Sequence, residues 1–228
     1  MREAWPVKWL EVRPGCCLAY GLVEGVAVAD RPPELDAAFR SFIAEVRQRY
    51  QLDTLRDEPF IRAYRDFFWR MNVDPTKHRP AAEALLRRML QGKAIPRISN
   101  VVDACNLVSA QTRVTLSTFD ASRITPPLLV RRAESGEEVL LIGNRRKRLG
   151  GTELLLCDQG GPIAIYAHSD TERTKVTQQT TALLLVAYGV PGVDEDAVWS
   201  ALLQLTEAVI RYAGGRTVWK HLSAPSLA

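Results

Sequence analysis

The sequence contains few residues that bind metals or form disulfides. Among its 228 residues are four cysteines and three histidines, and the cysteines form neither a CxxC pair nor a Cys/His spacing typical of a zinc site. We therefore expect reduced, buried thiols, no metal and no cofactor. The sequence also lacks the GxSxG, P-loop, GxGxxG and HExxH signatures, so most familiar enzyme classes have no support from a motif.

Long hydrophobic runs are also absent. No stretch approaches the roughly 20 apolar residues that a membrane-spanning helix needs, and the longest runs, such as 182–188, have the length of a strand. The first residues lack the apolar core and cleavage site of a signal peptide. We therefore expect no contact with a membrane and a cytoplasmic location.

Composition and charge indicate a folded domain with two basic segments. Hydrophobic residues make up 46% and charged residues 25%, values that exclude disordered and fibrous proteins. The net charge is +4, and the excess lies in residues 77–97 and 145–148. This pattern is typical of a protein that binds a polyanion, although an exposed helix face and a charged hairpin would also produce it. The candidate nucleic-acid contacts are Lys77, Arg79, Arg87, Arg88, Arg145, Arg146, Lys147 and Arg148.

Hydrophobic spacing predicts five helices. They cover residues 34–50, 60–71, 81–91, a segment that begins at Asn100, and a segment that begins at Asp194. We expect Asn100 to cap its helix, with Asp103 in a position that resembles a capping box. The aromatic residues of 60–71 are expected in the core, although aromatic side chains between arginines can also stack on nucleobases.

Short apolar stretches predict strands, mostly in the second half of the chain. The predicted strands are 7–12, 17–29, 128–132, 139–142, 154–157, 163–166 and 181–188. Helices followed by a run of strands favour an α+β fold over a regular βαβ alternation.

Polar residues are dense in two segments, 106–120 and 168–181. In the second segment, threonines recur every three residues between two apolar stretches. Hydroxyl and amide groups that converge beside a sheet can hold a polar ligand. The same residue types also satisfy the backbone groups of loops, so a purely structural role remains an alternative.

Several short motifs occur in a fixed order along the chain: IPRISNVVDACN at 95–106, FD at 119–120, VRRA at 130–133, GTE at 151–153, PIA at 162–164 and VTQQTT at 176–181. In this order, they resemble the B3/B4 editing domain of the phenylalanyl-tRNA synthetase beta subunit. Upstream, DPTK at 74–77 and RP at 79–80 resemble shorter, free-standing members of the family. As a set of spaced motifs, the resemblance is fairly specific.

The resemblance implies a fold and an activity. The fold would be a layered α+β module with mixed and antiparallel sheets and packed helices, forming a single domain over 1–228. Residues 1–55 would supply N-terminal strands and a helix, 56–215 the matched core, and 216–228 a tail. Inside the synthetase, this module hydrolyses tRNA charged with the wrong amino acid, chiefly tyrosine. The chain would therefore be a trans-acting aminoacyl-tRNA deacylase whose partner is the aminoacylated 3′ end of tRNA.

The sequence departs from the family at most of its pocket positions. Asn106 is kept, whereas Cys105 replaces a threonine and Ser117 replaces a histidine. The pair Asp170–Thr171 takes the place of two glycines, and Val186 that of a glutamate. Most residues that recognise tyrosine in the synthetase are therefore not carried over.

The remaining residues suggest how an ester could be hydrolysed. An aminoacyl ester is already activated, so the protein must mainly position a water and stabilise the oxyanion. The catalytic candidates are His168 to polarise water, because its ordinary pKa is roughly 6.5, and Asn106, Ser117 and Thr177 as donors. The substrate-binding candidates are Asp170 for the ammonium group, with Thr171, Thr181 and Cys105. Two alternatives remain open: a non-catalytic RNA-binding module, and a protein that binds amino acids or other small molecules.

Overall fold

The computed structural model describes residues 3–11 and 13–225, which form five α-helices and eleven β-strands. The helices are α1 (Pro33–Arg49), α2 (Pro59–Arg70), α3 (Ala81–Leu90), α4 (Asn100–Thr112) and α5 (Glu195–Ala213). The strands are β1 (Val7–Trp9), β2 (Cys17–Glu24), β3 (Thr115–Asp120), β4 (Leu128–Arg132), β5 (Glu138–Leu141), β6 (Arg145–Arg148), β7 (Leu154–Asp158), β8 (Gly161–Ile165), β9 (Ser169–Asp170), β10 (Ala182–Gly189) and β11 (Arg216–Ser223).

A four-stranded antiparallel sheet forms the centre of the fold, with the strand order β11-β2-β10-β3. Strands β2 and β10 pair over eight residues and are almost completely buried. Their sequences are continuously apolar because both faces are covered. Helix α5 packs on β2 and β10, while α4 packs on β3. The opposite face meets the second sheet, where the rings of Tyr166 and Tyr188 lie 4.9 Å apart.

The second sheet has five strands in the order β1-β4-β7-β8-β9. Strands β1 and β4 are parallel and the other neighbours are antiparallel. A separate hairpin, β5-β6, is attached to β9 by a backbone hydrogen bond from Ile142 to Asp170. The structure thus confirms the predicted α+β fold with mixed and antiparallel sheets. None of the described helices is both long and apolar enough to cross a membrane.

The helices begin and end close to the predicted residues, but the residue predicted as the N-cap of α4 was wrong. Ser99 is the N-cap, and its hydroxyl accepts a hydrogen bond from the backbone N–H of Val102. Asn100 is the first helical residue, and its buried amide connects α4 to Ala27, Ala29 and Tyr212. The side chain is therefore committed to long-range contacts rather than to a cap.

The core contains the side chains that hydrophobic spacing assigned to it. From the aromatic stripe of α2, Ile61, Tyr64, Phe67, Phe68 and Met71 are all buried, as expected for core residues. The four cysteines are also buried and unpaired. Burial raises the pKa of the Cys16 and Cys17 thiols to about 12, so both stay protonated and unreactive at neutral pH.

Several strands differ from their predicted extents. The strand predicted at 17–29 ends at Glu24, because Gly25 follows with a φ of +78° and turns the chain. The strand predicted at 7–12 is described only over 7–9, and Val12 lies outside the described residues. In the segment predicted as a tail, 216–223 pairs with β2, and 226–228 lie outside the described residues. Strands β3 and β6 were not predicted.

Candidate functional site

A buried polar cluster forms where β3, β9 and β10 meet beside α4. Ser117 on β3 donates a 2.8 Å hydrogen bond from its Oγ to Oδ1 of Asp170 on β9. Val186 on β10 is the register partner of Ser117 and is fully buried. Cys105 on α4 lies close enough for the charge of Asp170 to act on its thiol. Four of the positions that sequence analysis placed in the pocket therefore come together in space.

Asp170 supplies the carboxyl group of this cluster, and its pKa is strongly shifted. Burial raises its pKa from 3.8 to about 7, and the hydrogen bond from Ser117 only partly opposes this shift. A carboxyl group with this pKa exists in both protonation states at neutral pH. Asp170 can thus accept a proton and return it under the same conditions, as a general acid–base catalyst must.

Tyr188 on β10 belongs to the cluster although sequence analysis did not select it. Its hydroxyl is buried beside Asp170, and Ser117 is near enough to act on it as a hydrogen-bonding group, although no well-formed hydrogen bond is made in the described part of the chain. Burial and then the Asp170 charge raise the Tyr188 pKa well above 10, so the group remains a donor. Buried hydroxyls without partners are rare. A single tyrosine directly after the aliphatic run 182–187 was the available sequence signal.

Helix α4 carries the two neighbouring candidates, Cys105 and Asn106. Cys105 is buried, and burial followed by the nearby charge of Asp170 raises the pKa of its thiol far above neutrality. This excludes a thiolate nucleophile at physiological pH. Asn106 is half-buried, and its side-chain amide has no hydrogen-bond partner among residues 3–11 and 13–225. The amide is therefore free to bind a ligand.

The three threonine candidates are not part of the cluster. The Thr171 hydroxyl is buried and donates to the carbonyl groups of Pro162 and Ile163. The Thr177 hydroxyl accepts a hydrogen bond from the backbone N–H of Gln179 within a turn. Thr181 is exposed, and its carbonyl oxygen anchors the chain after β2. The hydroxyls of Thr171 and Thr177 therefore serve the local backbone.

The position of the 177–181 turn explains this separation. Thr180 donates a 2.7 Å hydrogen bond to Oδ2 of Asp120, which fixes the turn at the end of β3. Asp120 lies three residues beyond Ser117, a separation of about 10 Å along a strand. An odd number of residues also places the two side chains on opposite faces of the sheet. The turn is therefore remote from the Ser117–Asp170 pair.

His168 packs against Phe68 and His78 rather than against the cluster. Its ring is 5.2 Å from that of Phe68 and 5.8 Å from that of His78, and Nδ1 is 2.7 Å from the hydroxyl of Ser169. Burial, and then the charges of Lys147, His78 and Arg145, lower its pKa to about 3. An imidazole with this pKa is neutral and a weak base at pH 7. The expected role of His168 in polarising water therefore loses its physical basis.

The contact between His78 and His168 joins the two basic segments of the sequence. His78 lies between Lys77 and Arg79, and the charges of Lys147 and Arg145 also act on the His168 ring. On β6, Arg145, Arg146 and Arg148 are exposed and Lys147 is half-buried. We call the surface formed by 77–79, His168 and 145–148 the basic surface.

A cavity of about 590 Å³ lies between the β5-β6 hairpin and the start of β8. Of the predicted catalytic and substrate-binding residues, only Thr171 contributes to its lining. Two cations in the lining already have partners, since Arg173 bonds Asp158 and Lys175 bonds Glu172. This cavity is therefore distinct from the Ser117–Asp170 cluster.

Comparison with known proteins identifies a family for the chain. The model of the B3/4 domain family matches residues 63–214. The phenylalanine–tRNA ligase beta subunit of Haemophilus influenzae is 24% identical over 173 residues, which are 76% of this chain and 21% of that protein. The beta subunit from Streptomyces avermitilis is 32% identical over 120 residues, which are 50% of this chain and 14% of that protein.

Among solved structures, an N-terminal fragment of the phenylalanyl-tRNA synthetase beta subunit from Pyrococcus horikoshii is similar, with a TM-score of 0.47 and 16% identity. That match covers 100% of this chain and 57% of the fragment. The chain thus spans about a fifth or less of the curated relatives' length. Because the family model extends from α2 to the end of α5 and includes the whole Ser117–Asp170 cluster, this chain belongs to the B3/4 domain family.

Proposed function

We propose that this chain is an editing-type hydrolase that cleaves the ester bond of mischarged aminoacyl-tRNA. The Ser117–Asp170 pair carries the proposal, because it presents a carboxyl group whose pKa is about 7 in a position fixed by a hydrogen bond. Membership of the B3/4 family and similarity to phenylalanine–tRNA ligase beta subunits support aminoacyl-tRNA as the substrate class.

Asp170 acts as the general base in this proposal. Its carboxylate takes a proton from water while the water oxygen bonds to the ester carbonyl carbon. When the bond from that carbon to the ribose oxygen breaks, the protonated Asp170 returns the proton to the ribose oxygen. Ser117 holds the carboxylate in position. A base with a pKa near the working pH is well suited to both steps.

The negative charge that develops on the carbonyl oxygen needs hydrogen-bond donors. The Tyr188 hydroxyl is available because it is buried without a well-formed partner in the described residues. The Asn106 amide is also available, because it has no hydrogen-bond partner in the described residues. It lies on α4, the helix that brings Cys105 to the cluster. These two groups are the donors that we assign to the oxyanion.

The basic surface supplies the contact with the tRNA phosphates in this proposal. Asp170 lies only two residues after His168, whose ring lies between the two basic segments. Phosphate contacts to 77–79 and 145–148 would position the RNA without reading its sequence. The same contacts would deliver the aminoacyl end towards Asp170, and binding should weaken steeply with salt.

The proposal is tested with a panel of mischarged tRNAs and purified protein. We expect the ester of at least one member to be hydrolysed faster than in buffer. The Asp170→Asn variant should hydrolyse it about 10²-fold or more slowly than the wild type, as is typical when a general base is removed. The exposed Asp53→Asn is the matched control and should keep full activity. No acceleration on any member, or an unaffected Asp170→Asn variant, would contradict the proposal.

A non-catalytic RNA-binding protein is the second candidate. One observation favours it: Val186 is fully buried and apolar beside Ser117, at a place where the resemblance to the family implies a glutamate. This candidate predicts salt-sensitive tRNA binding without ester hydrolysis. The panel of mischarged tRNAs therefore distinguishes the two functions directly.

A further inference from the structure

A cleft of about 410 Å³ opens at the C-terminal end of α3. Its lining is strongly cationic and consists of Arg79, Ala84, Arg87, Arg88, Gln91 and Lys93. Four of these six residues carry a positive charge and none carries a negative one. We call this feature the α3 cleft. It shares only Arg79 with the basic surface.

The carboxylate of Glu83 lies next to the α3 cleft, but its charge is already partly neutralised by Arg65, which does not line the cleft. Glu83 is buried, and both its oxygens accept hydrogen bonds from Nη1 of Arg65, at 3.1 and 3.0 Å. Arg79 and Arg87 approach the same carboxylate only to 4.0 and 3.9 Å, which is too far for a hydrogen bond. Glu83 therefore offsets part of the charge of Arg79 and Arg87. Arg88 and Lys93, in contrast, have no carboxylate partner among the described residues. The cleft keeps a net positive charge, which favours an anionic ligand.

Two of the arginines are held in place by backbone carbonyl groups. Arg88 donates to the carbonyl of Ala94 from Nε and Nη2, at 3.1 and 2.8 Å. Arg87 donates from Nη1 to the carbonyl of Leu52 at 3.3 Å. Both guanidinium groups keep further N–H donors, and less side-chain entropy is lost when they bind phosphate because they are already oriented.

An exposed tryptophan lies on α2, the helix whose Arg65 bonds Glu83. Trp69 on α2 is 55% exposed, although most large aromatic residues of the chain are buried. It follows Arg65 by four residues, so the two side chains share one face of α2. Arg65 in turn bonds Glu83, next to Arg79 and Arg87. Arg65 and Glu83 thus link the face of α2 that carries Trp69 to the cleft, and a cationic groove combined with an exposed aromatic ring is what binds unpaired nucleotides.

We propose that the α3 cleft and Trp69 together bind a single-stranded segment of RNA. The cleft holds phosphates of the backbone, and Trp69 stacks on a base. The preference is for a single strand because an unpaired base can reach an aromatic ring, whereas bases within a duplex are already stacked. The choice of RNA rests on the proposed function, but the binding itself does not require hydrolysis.

The test is fluorescence anisotropy with an end-labelled, unstructured ten-nucleotide RNA and an RNA hairpin of equal length. We expect the single strand to bind more tightly to the full chain, with affinity that falls as salt increases. Replacing Trp69 with alanine should weaken binding about 5- to 150-fold, the value of one stacked base. Equal or tighter binding of the hairpin would contradict the inference.

The charge of the cleft is tested with the double variant Arg88→Glu and Lys93→Glu. Both side chains are exposed, and the Lys93 ammonium has no ion-pair partner in the described part of the chain, so folding should be retained. Lys93→Glu alone serves as a second, milder variant. We expect the double variant to bind the single strand at least tenfold more weakly. Arg40→Glu and Arg56→Glu change side chains that are exposed elsewhere, and they should leave this affinity unchanged.

These outcomes separate the inference from the proposed function. If no tRNA is hydrolysed but Trp69→Ala and the cleft variant both lose the single strand, the inference stands and the hydrolase proposal fails. If tRNA is hydrolysed but neither variant changes binding of the ten-nucleotide RNA, the inference is overturned and the hydrolase proposal stands.

Discussion

The rings of His78 and His168 lie 5.8 Å apart and connect two basic segments that are distant in sequence. His78 comes from the loop between α2 and α3, whereas His168 directly precedes β9. The contact places Lys77 and Arg79 on the same surface as β6, whose Lys147 and Arg145 act on His168. One continuous basic surface attracts a single polyanion more strongly than two separate basic patches would.

His168 should remain neutral over the whole physiological pH range. Its pKa is lowered to about 3, first by burial and then by the charges of Lys147, His78 and Arg145. In proton NMR spectra, the ring signals that disappear in the His168→Gln variant should not shift between pH 5 and pH 8. A titration with a midpoint near 6.5 would show that the ring is solvated and would return His168 to the list of bases.

Charge reversal on β6 should weaken tRNA binding in a salt-dependent manner. Arg145 and Arg146 are exposed, and Arg146 has only a 4.0 Å ion pair with the exposed Glu138. If both contact phosphates, replacing both with glutamate should reduce the slope of log affinity against log salt by about 2. The measurement is tRNA binding at several salt concentrations, with Arg40→Glu and Arg56→Glu as the control. An unchanged slope would mean that β6 is only a solvated hairpin strand.

The amphipathic helices could be predicted because local spacing alone determines which side chains are buried. In α5, the residues predicted to face inward include Val198, Leu202, Leu205 and Val209, which are all buried. Strand β3 could not be found in this way, since all six of its residues are buried and no alternation marks it. Strand β6 escaped for the opposite reason, because four consecutive basic residues hide any apolar face.

The candidate site could be predicted only in part. Cys105, Ser117 and Asp170 were chosen through the resemblance, and the structure brings them together around one hydrogen bond. Tyr188 was missed because an aromatic residue in an apolar strand is normally part of the core. The role predicted for His168, to polarise water, lacks support in the structure for a different reason. Its pKa depends on side chains from α2, β6 and the loop before α3, and no local pattern reports such neighbours.

Asp170 should make the protein less stable as the pH rises. Its pKa is about 7 when folded and about 3.8 when unfolded, so the folded state binds the proton more tightly. The stability that this proton provides is complete below pH 3.8 and is lost as the pH rises through 7. Between pH 5 and pH 8.5, the wild type should lose about 2–3 kcal/mol of unfolding free energy relative to Asp170→Asn.

Urea unfolding of both proteins at the two pH values measures this difference. The exposed Asp53→Asn is the control, and it should follow the wild type at both pH values. Parallel behaviour of Asp170→Asn and the wild type would mean that water reaches Asp170 freely. The carboxyl group would then have an ordinary pKa and would lose its advantage as a base.

The buried ion pair between Arg31 and Asp103 should be essential for the stability of the fold. Nε of Arg31 lies 2.8 Å from Oδ2 of Asp103, and their side chains are 4% and 0% exposed. Asp103 also accepts a hydrogen bond from the backbone N–H of Ile98. Replacing Asp103 with alanine leaves the buried guanidinium group with a hydrogen bond to the carbonyl of Pro96 and with Asp36, at 3.4 Å, as its remaining carboxylate among the described residues. We expect a loss of about 3–5 kcal/mol.

The same pair links stability to the candidate site, because Asp103 lies two residues before Cys105 on α4. Arg31 therefore fixes the turn of α4 that carries Cys105 to the cluster, with Asn106 as the next residue. Urea unfolding of Asp103→Ala and of the control Arg56→Ala measures the effect. The control breaks an exposed 3.9 Å contact with Asp57 and should change stability by no more than about 0.5 kcal/mol. A loss below about 1 kcal/mol for Asp103→Ala would mean that water replaces the carboxylate, and that α4 is positioned by its apolar contacts and the hydrogen bonds of Asn100.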